Sequence, residues 1–178
     1  MHEEIKICTA CPLYKSRTHA VPGEGNWKAR LMLIGEAPGA REDETGSPFC
    51  GRAGNHLDKL FAQLGFDRQA TFITSTVKCR PPGNRTPHAE ELDTCHELWL
   101  TEQIELIDPE IVVLLGGTAI RQLLEEDAPL KDMHGETREV NGRKFLMTYH
   151  PAAAMRFPDP DEGIQEDFRR LREMLDSE

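Results

Sequence analysis

Apolar residues come in short bursts along the chain, and their spacing changes from burst to burst. Leu31-Met32-Leu33-Ile34 is unbroken, so residues 30–34 predict a strand covered on both faces. Residues 55–64 carry Leu57, Leu60, Phe61 and Leu64, the spacing of one helical face, and Gly65 supplies the stop. Residues 70–79 are rich in β-branched and aromatic side chains and predict a second strand, which Pro81 and Pro82 end. Thr86 and Pro87 read as an N-cap and first helical residue, opening a long helix over residues 88–107. Residues 110–117 form a third, almost wholly apolar strand. Residues 118–126 predict a short helix capped near Thr118, residues 142–151 a fourth strand, and residues 164–175 a closing helix.

Strands that alternate with helices predict an α/β fold: a three-layer α/β/α sandwich around a four-stranded, mostly parallel sheet. The absence of repeats or a linker points to a single domain over residues 1–178. Ligands in such folds bind beyond the carboxyl ends of the strands. Those ends fall at Gly35 to Gly39, at Ser75 to Cys79, at Gly116-Gly117 and at Tyr149-His150-Pro151.

No apolar run approaches the roughly 18 residues of a membrane span. The first residues, MHEEIKICTACPLY, are acidic and lack the apolar segment of a signal peptide. The expectation is a soluble, cytoplasmic protein with no membrane contact. The net charge of −10 argues against broad phosphate binding, so any nucleic-acid surface must come from a local cluster. Lys78, Arg80 and Arg85 are the candidates, and a solvated face is the alternative.

Five cysteines, an odd number in such a chain, argue against a disulfide framework. Cys8 and Cys11 form a C-x2-C pair on a stretch with no apolar periodicity; Cys79 and Cys95 stand singly downstream. Four thiolates are enough to enclose a metal centre. The spacing does not separate zinc from a [4Fe–4S] cluster, and buried unreactive thiols are the bland reading.

Two further stretches carry chemistry. GEAPG, residues 35–39, follows the first strand, but it has neither a G-x-G-x-x-G nor a Walker pattern, and no helix is expected directly after it. Its glycines and proline suggest a tight turn offering N–H groups to a small planar ligand, although Glu36, Glu42, Asp43 and Glu44 crowd the same region. His150 stands at the end of the fourth strand, in the expected crevice.

Taken together, CTAC, GEGN, LMLIGEAPGAREDETGSPFCGRAG, ITSTVKCRPPGNRTP, the later Cys95 and YHPAAAMR resemble the family 4, iron–sulfur uracil-DNA glycosylases, from Cys8 to about Met155. The resemblance implies a Rossmann-like α/β/α fold and hydrolysis of the N-glycosidic bond of deoxyuridine in DNA. It also implies a [4Fe–4S] cluster on Cys8, Cys11, Cys79 and Cys95. Uracil-containing DNA becomes the expected partner of a monomeric enzyme; the sequence names no replication or repair partner.

The resemblance further implies roles by position. His150 stabilises the leaving uracil anion at O2, and Phe49 stacks on the base. Glu36 and Ala37 belong to the loop around base and water. Glu42 lies near the base C5 and the water path, and Asn84 matches a family position of less defined role. Another family of uracil glycosylases has a water-activating Asp where this chain has Ala37, so that work shifts to Glu36 or Glu42. Ser75 departs from a common family Asn whose amide reads uracil N3–H and O4. Discrimination against cytosine then weakens, or passes to a water, Thr74 or Thr76. Cys50 reads as a spare thiol. Met155 and Arg156 are candidates to fill the gap left by an extruded base, with a plain surface loop as the alternative.

Two rival functions remain at this level. One is a non-catalytic iron–sulfur DNA-binding or redox module. The other is a covalent uracil-DNA crosslinking relative, which needs a histidine on a basic loop that residues 78–87 lack.

Overall fold

A computed structural model describes residues 1–177 of the chain. The strands are β1 (Glu24–Gly25), β2 (Leu31–Gly35), β3 (Phe72–Ser75), β4 (Ile111–Leu115), β5 (Thr137–Val140) and β6 (Arg143–Thr148). The helices are α1 (His2–Lys6), α2 (Ala40–Thr45), α3 (Arg52–Leu64), α4 (Ala89–Cys95), α5 (Thr101–Ile107), α6 (Gly117–Leu124), α7 (Pro151–Ala154) and α8 (Pro158–Asp176).

The six strands form one sheet in the order β1-β3-β2-β4-β6-β5. β3, β2, β4 and β6 pair in parallel, as the four apolar bursts require. The sheet is wider than the expected four strands because an antiparallel strand closes each edge. β1 has only two residues, too few to show alternation. β5 is polar and half-exposed, so it carries no apolar burst. Starting the fourth strand at residue 142 overlooked one signal: Asn141-Gly142, both at positive φ, is a strong short hairpin turn.

Alternate residues of the central strands feed opposite layers. Leu31, Leu33, Ile73, Val113 and Leu146 pack on Leu57, Phe61, Ile164, Phe168 and Leu171 of α3 and α8. Met32, Ile34, Phe72, Val112 and Met147 pack on Ile104, Ile107, Ala119 and Ile120 of α5 and α6. This is the three-layer sandwich. A third, smaller cluster joins Ile5, Leu13, Ala20 and Val77 to Cys79 and Cys95 beside the sheet.

Several expected bounds shift for physical reasons. The second strand ends at Ser75, because Thr76 and Val77 turn back to hydrogen-bond the carbonyls of Gly35 and Glu36. His88, not Thr86, caps the long helix, and Glu91 reaches back to the His88 N–H (2.7 Å). That helix runs through a wide π-helical turn at His96–Leu100 between α4 and α5. α2 begins directly after Gly39, where no helix was expected, and α8 begins six residues early, with Pro158 in its first turn.

A buried carboxylate fastens the end of β6 to the last helix. Asp167 of α8 is 2% exposed. It accepts hydrogen bonds from Thr148 Oγ1 (2.5 Å) and His134 Nδ1 (3.1 Å). Burial pushes its pKa up, while Thr148 and His134 pull it back. Thr148 lies two residues before His150, so this tie holds the backbone from which His150 projects.

Candidate active site

The sheet order places the topological switch between β2 and β4, since the chain crosses to β3 on one side and to β6 on the other. A pocket of about 250 Å³ opens beyond the carboxyl ends of these strands. It is smaller than the roughly 300–1,000 Å³ pockets of drug-sized ligands, which suits one small planar molecule. Its walls include Glu36, Ala37, Glu42, Phe49, Ser75, Asn84 and His150, so every residue expected to touch a base is here. Apolar wall was missed at Val21, Pro38, Pro48, Ala53 and Pro81. Of these, Pro38 had been read as part of the turn and Pro81 as the end of a strand; the others left no signal.

His150 caps α7, and its Nδ1 accepts the Ala152 N–H at 3.0 Å. A neutral imidazole has one donor and one acceptor nitrogen, so this bond leaves the proton on Nε2. Burial lowers the His150 pKa to about 4, against an opposing pull from the Glu42 carboxylate. The ring therefore stands neutral at pH 7, with Nε2–H as a donor. It stacks on Phe49 at 5.6 Å between centroids and 28° between planes. Gly116, at φ 95°, passes close behind it; a Cβ there would lie 3.2 Å from the His150 Cβ.

Phe49 sits at φ 46°, a left-handed conformation that bulky residues rarely adopt. Two glycines make room for it. A Cβ on Gly54 would lie 1.8 Å from the Phe49 carbonyl oxygen, and one on Gly35 would lie 2.7 Å from the ring. The loop is held by Glu42, whose Oε2 accepts the Gly39 N–H (3.1 Å). Its Oε1 accepts the N–H groups of Cys50 (3.1 Å) and Gly51 (2.9 Å). Glu36 projects from the end of β2 and accepts a bond from Thr118 Oγ1 at 2.5 Å, across the switch point. The expected cap residue of α6 thus holds an acid of the pocket instead.

Ser75 is buried and lines the pocket. Thr74 and Thr76 do not share its place. Thr74 Oγ1 donates to the Pro22 carbonyl and Thr76 Oγ1 to the Glu36 carbonyl, and both residues are almost wholly enclosed. Neither is available to take over base reading. Asn84, at φ 56°, is the amide of the pocket wall, and its Oδ1 accepts from Arg80 Nε (2.7 Å).

The expected basic cluster does not survive as one surface. Lys78 is 1% exposed, and its ammonium donates to Thr74 Oγ1, the Ser75 carbonyl and Gln103 Oε1 at 2.6, 2.8 and 2.6 Å. It cannot reach DNA phosphate. Arg85 forms a two-pronged pair with the buried Glu91 (2.9 and 2.7 Å), yet still borders the pocket. Arg156 stands exposed at the rim beside Met155, which is 37% exposed. Phe157, 60% exposed, extends that apolar edge and was missed.

Cys8, Cys11, Cys79 and Cys95 line one small cavity together with Arg17, Lys78 and Trp99; Cys50 is not among its walls. Among the described residues, no group of three His, Cys, Asp or Glu is placed to hold a single metal ion. The four thiols border one cavity, so these are the residues that could hold a thiolate-ligated metal group. N–H donors already face the sulfurs: Arg17 Nη1 at 3.1 Å from Cys79 Sγ and Trp99 Nε1 at 3.4 Å from Cys8 Sγ. Burial raises the pKa of Cys79 and takes Cys95 to about 12.

Comparison with known proteins gives the family. Residues 22–175 match the model of the Uracil DNA glycosylase superfamily. A type-4 uracil-DNA glycosylase of Saccharolobus solfataricus is 44% identical, over 98% of this chain and 85% of its own. That of Pyrobaculum aerophilum is 43% identical, over 94% and 89%. That of Thermotoga maritima is 42% identical, over 86% and 81%. The chain belongs to the uracil DNA glycosylase superfamily.

The tautomer and charge of His150 are directly measurable. Long-range nitrogen–proton NMR should find Nε2–H, with Nδ1 unprotonated, from pH 8 to about pH 5. Charging should begin only near pH 4. A His150 ring that charges around pH 6.5 would mean that the pocket does not desolvate it.

Proposed function

We infer that this protein is a DNA repair enzyme, a uracil-DNA glycosylase that hydrolyses the N-glycosidic bond of deoxyuridine and leaves free uracil and an abasic site. Uracil-containing DNA is its substrate. The observation that carries the assignment of roles is the neutral His150 donor, pinned by Ala152 and stacked on Phe49 in a pocket sized for one base.

The target nucleotide must leave the stack to reach such a pocket. Phe49 stacks on the extruded uracil. As the C1′–N1 bond breaks, negative charge gathers on the base and positive charge on the sugar. The Nε2–H of His150 donates to uracil O2, where the anion develops. A neutral imidazole can do this, because its Nε2–H bond strengthens as O2 gains charge. The carboxylates of Glu36 and Glu42 place negative charge beside the positive sugar and orient the attacking water. Glu42 already accepts three N–H groups, which fix its orientation at the pocket wall. Ser75 and Asn84 meet the polar edge of the base.

Met155 enters the gap left by the base, and Arg156 and Arg80 face the phosphates, while Arg85 stays paired with Glu91 at the pocket's edge. The thiols of Cys8, Cys11, Cys79 and Cys95 hold a [4Fe–4S] cluster, which cross-links the N-terminal segment to the end of the β3 loop and to α4. Residues 1–178 act as one glycosylase domain, as a monomer in the cytoplasm. Among the described residues, no helix is long and apolar enough to cross a membrane.

His150→Ala should lower the single-turnover rate of uracil release by about 100- to 1000-fold, the usual cost of one donor to a developing anion. Affinity for DNA with an uncleavable uracil analogue should change little, since phosphate contacts dominate it. A rate that falls only in step with affinity would remove His150 from the chemistry.

Iron content tests the thiol set. Wild-type protein purified without air should carry about four irons per chain and absorb broadly near 400 nm. Cys79→Ser should lose the iron and Cys50→Ser should keep it. Equal loss in both would show that the four thiols are wrongly chosen.

A further inference from the structure

Among the described residues, Lys78 is the one buried ammonium, and this chemistry leaves it unused. Its three N–H donors are spent on three neutral oxygens, those of Thr74, Ser75 and Gln103. Hydrogen bonds of this kind satisfy its donors but leave its charge unbalanced. A buried unpaired charge is costly, and proteins rarely keep one without a counter-charge. The candidates are thiols: Lys78 lines the same cavity as Cys79 and Cys95.

The oxygens on its other side belong to the pocket's support. Ser75 closes β3 and lines the pocket. Gln103 Nε2 and Thr74 Oγ1 both donate to the Pro22 carbonyl, at 2.7 and 3.0 Å. The preceding residue, Val21, is pocket wall, and its N–H donates to the Lys78 carbonyl at 2.7 Å. A single ammonium thus stands between the thiol cavity and two segments of the pocket wall.

We propose that Lys78 is a positioning residue that couples the iron–sulfur site to the uracil pocket: its ammonium balances the thiolate charge of the cluster while fixing the Ser75 carbonyl and, through Thr74 and Gln103, the Pro22 segment. This rests on the cluster reading given above. When four thiolates hold the cluster, the assembly carries net negative charge, and Lys78 is its internal counter-ion. Loss of the positive charge should make reduction of the cluster harder. Loss of the ammonium's hydrogen bonds should loosen the Ser75 end of β3 and with it the seat of the base.

The test compares Lys78→Met, which keeps length and removes charge, with Lys78→Arg, which keeps charge. Iron content, cluster potential by voltammetry and uracil-release kinetics are measured on each. For Lys78→Met with the cluster retained, the potential should move to more negative values. KM for a uracil-containing oligonucleotide should rise on the order of tenfold, the weight of a lost charge-assisted hydrogen bond, with kcat changed less. The Arg variant should keep the potential close to wild type. If the Met variant sheds its iron while the Arg variant holds it, the charge requirement is met in its strongest form. A Met variant with iron, potential and KM all unchanged overturns the proposal, and so does equal loss of iron from both variants, which would mark Lys78 as packing alone. Potential and iron are read without any glycosylase activity. A wild-type protein without iron would instead defeat the cluster reading itself.

Discussion

Glu42 accepts N–H groups from Gly39 at one oxygen and from Cys50 and Gly51 at the other, and the pocket takes its shape from this carboxylate. Hydrogen bonds to a charged acceptor are worth about 1.5–3 kcal/mol each, so three of them outweigh the cost of ordering a loop end. They close the excursion between β2 and α3 into a compact unit. Phe49 stands just before the two clamped residues Cys50 and Gly51. Its left-handed backbone is affordable only because the clamp and the two glycines behind it leave no other arrangement. An acid in a glycine-rich loop is therefore no paradox. The N–H groups that would hold phosphate in a nucleotide-binding loop are here turned inward onto a carboxylate of the chain itself.

The same logic governs the charges around the pocket. His150 is kept neutral by burial and oriented by a backbone N–H. Glu36 is tied across the switch point to Thr118. His150, Glu36 and Glu42 are thus each held in place by hydrogen bonds within the protein, and little reorganisation is left to them. Asp167 extends the scheme one layer deeper, by fixing Thr148 two residues before His150.

The parallel core of the sheet was legible because four apolar bursts in a chain of alternating strands and helices leave few topologies. The edge strands were not, since β1 is too short to show alternation and β5 is polar. The residues expected around a base came from motif likeness, and Glu36, Phe49 and His150 line one pocket. Lys78 shows where such reading fails. A lysine between cysteine and threonine-rich stretches looks like surface charge, yet the turn after Ser75 folds it inward onto Gln103, which lies 25 residues away in sequence. Likewise Arg85 was read as a free cation, but the buried Glu91 claims it. Pairings set by tertiary contact leave no mark on local composition.

The central claim is that a neutral His150 donates to O2 of a uracil stacked on Phe49. A high-resolution crystal structure of the protein with free uracil tests it most directly. The account predicts the ring against Phe49, with O2 within hydrogen-bond distance of His150 Nε2 and the Ala152 N–H still on Nδ1. Uracil bound outside this pocket, or seated in it with O2 turned away from His150, would contradict it.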